Sequence, residues 1–141
     1  MTGDKGRLRR AVLIERMRAA EHRQAAAEAH RAEAVRQKLE QLSERTRTLS
    51  QLYALRDTAR DGADLRGASM LGSHLHDLGA TAARQAADAR RTADDRLADL
   101  AVADRRLQKA GDSRRDLARA IGERSAKQEP AAARKTGTHL E

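Results

Sequence analysis

From residue 7 to residue 61 the chain contains no glycine and no proline, and from residue 80 to residue 129 it contains two glycines and no proline. Strong helix formers, chiefly Ala, Arg, Leu and Glu, fill both stretches. Between them Gly62, Gly67, Gly72 and Gly79 interrupt the pattern. Two long helical segments separated by a cluster of residues that weaken helices predict a chain that folds back on itself. The expected fold is all-α, a long two-helix antiparallel coiled-coil hairpin with the glycine-rich stretch at its closed end.

Composition supports this reading over a globular one. Tyr53 is the single aromatic residue, 35% of residues are charged, and Ala carries most of the apolar fraction. Alanine buries little area, so a thick packed core is not expected. Enrichment in Ala, Glu, Leu and Arg is the composition of long helices and coiled coils. Cysteine is absent, which excludes a disulfide framework and a thiolate metal site. The longest strongly apolar run, residues 11–14, falls far short of the ~20 residues of a membrane-spanning helix and of a secretory signal. A soluble, cytoplasmic protein is expected.

Apolar residues recur at coiled-coil spacing on both arms. Leu13, Ile14 and Met17 begin a stripe that thins through an alanine-rich stretch. It then becomes regular as Val35, Leu39, Leu42, Thr46, Leu49 and Tyr53. These steps alternate between four and three residues, as a heptad seam requires. On the second arm Leu71, Leu75, Leu78 and Ala82 repeat the pattern, followed by Ala86, Ala89 and Ala93. Leu97, Leu100 and Ala103 come at three-residue steps, the signature of a stammer. The stripe ends as Leu107, Ala110, Arg114, Leu117 and Ile121. Folding the chain back pairs the two leucine stripes. Glu15 with Arg18, Glu28 with Arg31 and Glu33 with Arg36 are spaced for i,i+3 support.

These signals divide the chain into a frayed N-terminus (1–6) with Asp4 as a helix cap, a first arm (7–60), a glycine-rich turn (61–70), a second arm (71–128) and a flexible tail (129–141). A first arm of about 50 residues at roughly 1.5 Å per residue would be a slender rod. The formal charge of +8 is unevenly placed. Residues 1–18 hold six basic and two acidic side chains, and residues 105–135 hold ten and four. The fold-back would gather both runs into one basic open end.

Catalytic chemistry finds no support. His74 and His76 are two apart and point to different faces of a helix, whereas paired metal ligands on a helix stand four apart. Gly111-Asp112-Ser113 has no preceding strand and no oxyanion loop, so it is not a hydrolase nucleophile. The glycines at 62, 67 and 72 lack a following Gly-Lys-Ser/Thr and form no phosphate loop. No enzyme activity, cofactor, metal or small-molecule substrate is expected. Nucleic acid is a poor fit as main partner, because acids interleave the basic clusters and aromatic residues for base stacking are absent.

In length, in its charged, Arg-rich arms and in the expected two-helix arrangement, the chain resembles the flagellar FliJ and injectisome YscO family, the small coiled-coil stalks of type III secretion systems. The resemblance spans most of the chain, residues 8–128. It implies a cytosolic rod, peripheral to the inner membrane when docked, whose open end enters a hexameric export ATPase. It also implies contact with an export gate protein and with export chaperones. On this resemblance Arg7, Arg9, Arg10, Arg16, Arg114, Arg115 and Arg119 would meet the ATPase. The gate would be contacted near the closed end by Leu49, Tyr53, Leu71, Leu75 and Leu78. Tyr53 and Leu75 keep the residue types of that family's contact set, and Leu71 stands where the family has an aromatic. A generic coiled-coil scaffold and a basic helical nucleic-acid binder are the alternative expectations.

Overall fold

The structure is a computed structural model that describes residues 2–55 and 62–137. The fold is all-α, a hairpin of two long helices packed on each other. Helix α1 runs Thr2–Leu55 and α2 runs Gly62–Gly137. The chain divides into two units: unit 1 is Met1–Ala25 with Leu100–Glu141, and unit 2 is Ala26–Asp99.

Helix boundaries depart from the expected ones at three places. Residues 2–6 are helical rather than frayed, so Asp4 sits inside the first turn of α1, where its charge still favours the positive helix end. The expected turn at 61–70 is the start of α2 instead. Helix formers between the glycines offset a cost of about 1 kcal/mol per glycine, and no described glycine takes the positive φ of a helix-ending cap. The part of the expected turn at Asp61 lies outside the described residues. Finally, α2 passes Pro130 and continues to Gly137 rather than ending near Gln128. The run Ala131-Ala132-Ala133-Arg134-Lys135 resumes the helix after the proline, and residues 138–141 lie outside the described residues.

Within unit 1 the helices run antiparallel, since partners on α2 descend as residues on α1 ascend. Asp4 meets Arg124 at 3.1 Å, Glu15 meets Arg114, and His22 lies 3.5 Å from Asp104. On α2 the inner face steps through Leu100, Ala103, Leu107, Ala110, Arg114, Leu117 and Ile121, the stripe expected there. Facing it on α1 are Asp4, Leu8, Ala11, Glu15, Arg18 and His22. Glu15 therefore pairs across the helices, not with Arg18, which instead holds Glu21 at 2.9 Å.

Unit 2 is antiparallel too. Glu28 reaches Arg96 at 3.5 Å rather than Arg31, and a methyl group on Gly79 would stand 3.7 Å from Thr46 Cγ2. Here the seam differs from the expected leucine pairing. On α2 the inner positions are Ala68, Gly72, Leu75, Gly79, Ala82, Ala86, Ala89 and Ala93. On α1 they are Ala29, Ala32, Arg36, Leu39, Ser43, Thr46 and Ser50. Val35, Leu42 and Leu49 are instead about half exposed, at 51%, 49% and 53%. Leu71 and Leu78 also face solvent. The small residues win because their register is the one α2 sustains along its length. Leu97 is exposed and off the seam, and Leu100 follows Ala93 by one full heptad, so the alternation carries no stammer.

Among the described residues, every buried hydrophobic side chain is an alanine: Ala29, Ala82, Ala86, Ala89 and Ala93 in unit 2, Ala103 and Ala110 in unit 1. Small side chains let two helix backbones approach closely, but a buried methyl contributes only about 0.8 kcal/mol. Much of the apolar area of both units thus stays open to contact with other molecules.

Candidate protein-interaction surfaces

Unit 1 holds the whole of the excess charge. Its two sequence stretches carry seventeen basic and nine acidic side chains, a net +8, whereas unit 2 carries twelve of each. The fold-back of α2 on α1 brings the two basic runs together in this unit, as the ion pairs Asp4–Arg124 and Glu15–Arg114 establish.

The seven arginines singled out in the sequence fall into two groups. Arg7, Arg9, Arg10, Arg16 and Arg119 are exposed and make no ion pair among the described residues. Arg114 is half-buried, with its Nε donating to Glu15, and Arg115 is held by Asp112 one helical turn before it. Arg114 thus joins the helices, and the first group supplies the unneutralised charge. Between the helices of unit 1 runs a groove that the sequence reading missed. Ala11, Ile14 and Ala110 form its apolar lining, and Arg18, Arg106 and Lys109 its cationic one. The heptad positions reveal it: Ile14, Arg106 and Ser113 each precede an inner position by one residue, so they share one flank of the seam.

The residues expected at a gate contact lie in unit 2, on more than one side of it. Writing the inner positions as a and d, the residues just before a are g and those just after d are e. The groove lined by Arg47, Ser50, His76 and Ala83 marks the e flank, because Arg47, His76 and Ala83 are e positions of the two helices. Tyr53 lines a second groove with Ala54, Gly72 and His76 on that same flank. Leu49, Leu71 and Leu78 are g positions and lie on the opposite flank, with Val35 and Leu42 beside them. Leu75 is half-buried on the inner face. Leu49, Leu71 and Leu78 are thereby brought together, while Tyr53 and Leu75 take other sides.

Electrostatics within unit 2 are local. Arg36, at an inner position, donates from Nε to Glu33 at 2.8 Å and from Nη1 to Glu40 at 2.7 Å. Those hydrogen bonds hold the Glu33 carboxyl below the usual glutamate range and raise the affinity of Arg36 for its proton. Among the described residues no three His, Cys, Asp or Glu side chains gather as metal ligands do. His74 and His76 are both exposed. No described helix is long and apolar enough to cross a membrane. Compared with protein-family models, curated proteins and solved structures, the chain matches none.

Proposed function

We propose that this chain is a non-enzymatic coiled-coil stalk or adaptor of a type III protein export apparatus. Basic unit 1 engages the hexameric export ATPase, and the apolar flank of unit 2 contacts the export gate and export chaperones. One observation carries the reading: the net charge of +8 is confined to unit 1, where five arginines stand exposed with no ion pair among the described residues. A ring of acidic or polar pore loops is the kind of surface such a cluster docks on, because complementary charge speeds encounter and fixes orientation. The resemblance to the FliJ and YscO stalks supplies the identity of the ring. On this reading the protein works in the cytoplasm, at the inner-membrane export apparatus.

The test is a pull-down and ATPase assay with an export ATPase from the same organism, using Arg9→Glu, Arg10→Glu, Arg16→Glu and Arg119→Glu together. These residues are exposed, so the helices should persist in circular dichroism while binding and stimulation of the ATPase are lost. Unchanged binding by the folded quadruple variant would overturn the assignment of this surface. A second reading, phosphate-backbone binding by a basic helical protein, is favoured by the groove of Arg18, Arg106 and Lys109. Co-purification of RNA or DNA whose release follows salt would select it instead.

A further inference from the structure

We infer that the apolar g flank of unit 2 binds a second copy of this chain, in a four-helix arrangement that sets α1 of each copy over α2 of the other. This goes beyond the export reading and rests on unit 2 alone. In helical bundles each helix adds its e or g positions to a and d, giving an apolar face three residues wide in every seven. Unit 2 has that pattern on one side only. Val35, Leu42 and Leu49 on α1, with Leu71 and Leu78 on α2, occupy the g rows and are about half to a third exposed. The g rows of unit 2 turn polar beyond this at Glu28, Gln85, Thr92 and Asp99, and those of unit 1 carry Arg7, Glu21, Arg106 and Ser113 around Ile14 and Ala120, so the apolar face is confined to residues 35–49 and 71–78.

Charge at the rims identifies the occupant. Outside the apolar rows, α1 presents Arg31, Lys38 and Arg45 at heptad spacing, all exposed. None of the three makes an ion pair among the described residues. The matching row of α2 presents Thr81, Asp88 and Asp95. Asp95 has no ion-pair partner among the described residues, and Asp88 holds only the exposed Arg91, at 3.2 Å, a contact of small value. One rim is therefore basic and the other acidic, on the same flank.

Two twofold arrangements can close this flank on itself. An axis across the helices lays α1 on α1 and sets basic rim against basic rim. An axis along the helices lays α1 on α2 of the partner copy and sets basic rim against acidic rim. The second also matches in register. Thr46 stands level with Gly79, so Lys38 is level with residue 87, beside Asp88, and Arg31 is level with residue 94, beside Asp95. The twofold axis then brings Lys38 to Asp88 and Arg31 to Asp95 of the partner copy. Leu42 and Leu49 of one copy come over Leu78 of the other. The same flank serves the proposed gate contact, so self-association and that contact exclude one another.

Sedimentation equilibrium of the full chain tests the arrangement. The wild-type chain should populate a dimer, and Leu42→Glu with Leu78→Glu should abolish it while helix content persists. A wild-type chain that stays monomeric at submillimolar concentration overturns the inference and leaves the flank to an unlike partner. Lys38→Glu with Arg31→Glu should weaken the dimer roughly tenfold or more, and Asp88→Lys with Asp95→Lys added in the same chain should restore it. Failure of that rescue overturns the α1-over-α2 register. The chain has no cysteine of its own, so Lys38→Cys with Asp88→Cys provides an independent readout. Oxidation should give covalent dimers, because these two rims lie on different helices of one copy and meet only across the twofold axis. Oxidised chains that remain single overturn the same register.

Discussion

At the scale of single residues, two inner glycines of α2 leave room for more side chain than they have. A methyl group on Gly72 would meet nothing within 4 Å, and one on Gly79 would meet Thr46 at an ordinary contact distance of 3.7 Å. Each glycine costs helix stability relative to alanine and neither uses its conformational freedom. Gly72→Ala and Gly79→Ala are each expected to stabilise the protein by about 1 kcal/mol, raising the midpoint of thermal unfolding followed by circular dichroism. A fall in the midpoint for Gly79→Ala would mean that the backbones approach more closely there than the Thr46 contact indicates. A second residue-scale prediction concerns Glu33. Its hydrogen bonds to Arg36 lower its carboxyl pKa in the folded chain. The stabilisation is therefore present above the ordinary glutamate pKa and is lost as pH falls through the depressed one. Arg36→Met should return the Glu33 titration, followed by NMR, upward to the ordinary range. It should also remove that part of the acid dependence of unfolding.

At the scale of the helix, the sequence made the element type plain but left the seam of unit 2 ambiguous, and the ambiguity is geometric. Val35, Leu39, Leu42, Thr46, Leu49 and Tyr53 step by four and three residues, and so do the true inner positions Arg36, Leu39, Ser43, Thr46 and Ser50. The two sets share Leu39 and Thr46, and spacing alone cannot separate a g–d stripe from an a–d seam. Hydrophobicity pointed to the wrong set, because the seam is built of Gly, Ala, Ser and Thr. In unit 1 the same reasoning succeeded on α2, where Leu107, Leu117 and Ile121 put large apolar residues on the inner face itself, and failed on α1, where the expected Leu13, Ile14 and Met17 are about half exposed and Leu8, Ala11 and Glu15 take the inner face. The basic surface was legible by counting charge. That Arg114 is consumed by Glu15 was not, because that pair is separated by 99 positions in sequence. The alanine seam makes a direct prediction: Ala93, 1% exposed, has no space for a larger side chain. Ala93→Leu should destabilise the protein by about 1–3 kcal/mol through overpacking. Ala98→Leu, on the exposed face of the same helix, should be nearly neutral in the same chemical denaturation series.

At the scale of the whole molecule, the chain separates two kinds of surface along its sequence. Unit 1 has the excess charge and no g-row apolar face; unit 2 is neutral in sum and carries that face. Salt acts on these in different ways. Exposed charges are screened beyond about 8 Å at physiological ionic strength, whereas burial of leucine is unaffected by screening and is strengthened by excluded salts such as sulfate. Binding through unit 1 should weaken steeply as sodium chloride rises from low to physiological concentration. Self-association through unit 2 should change little, losing only its exposed rim pairs, and should strengthen in sulfate. Titrating both salts while recording ATPase binding and sedimentation on the same preparation separates the two. If the two associations rise and fall together in both salts, one surface serves both. The division of labour between charge in unit 1 and apolar contact in unit 2 would then be wrong, even if each association were real.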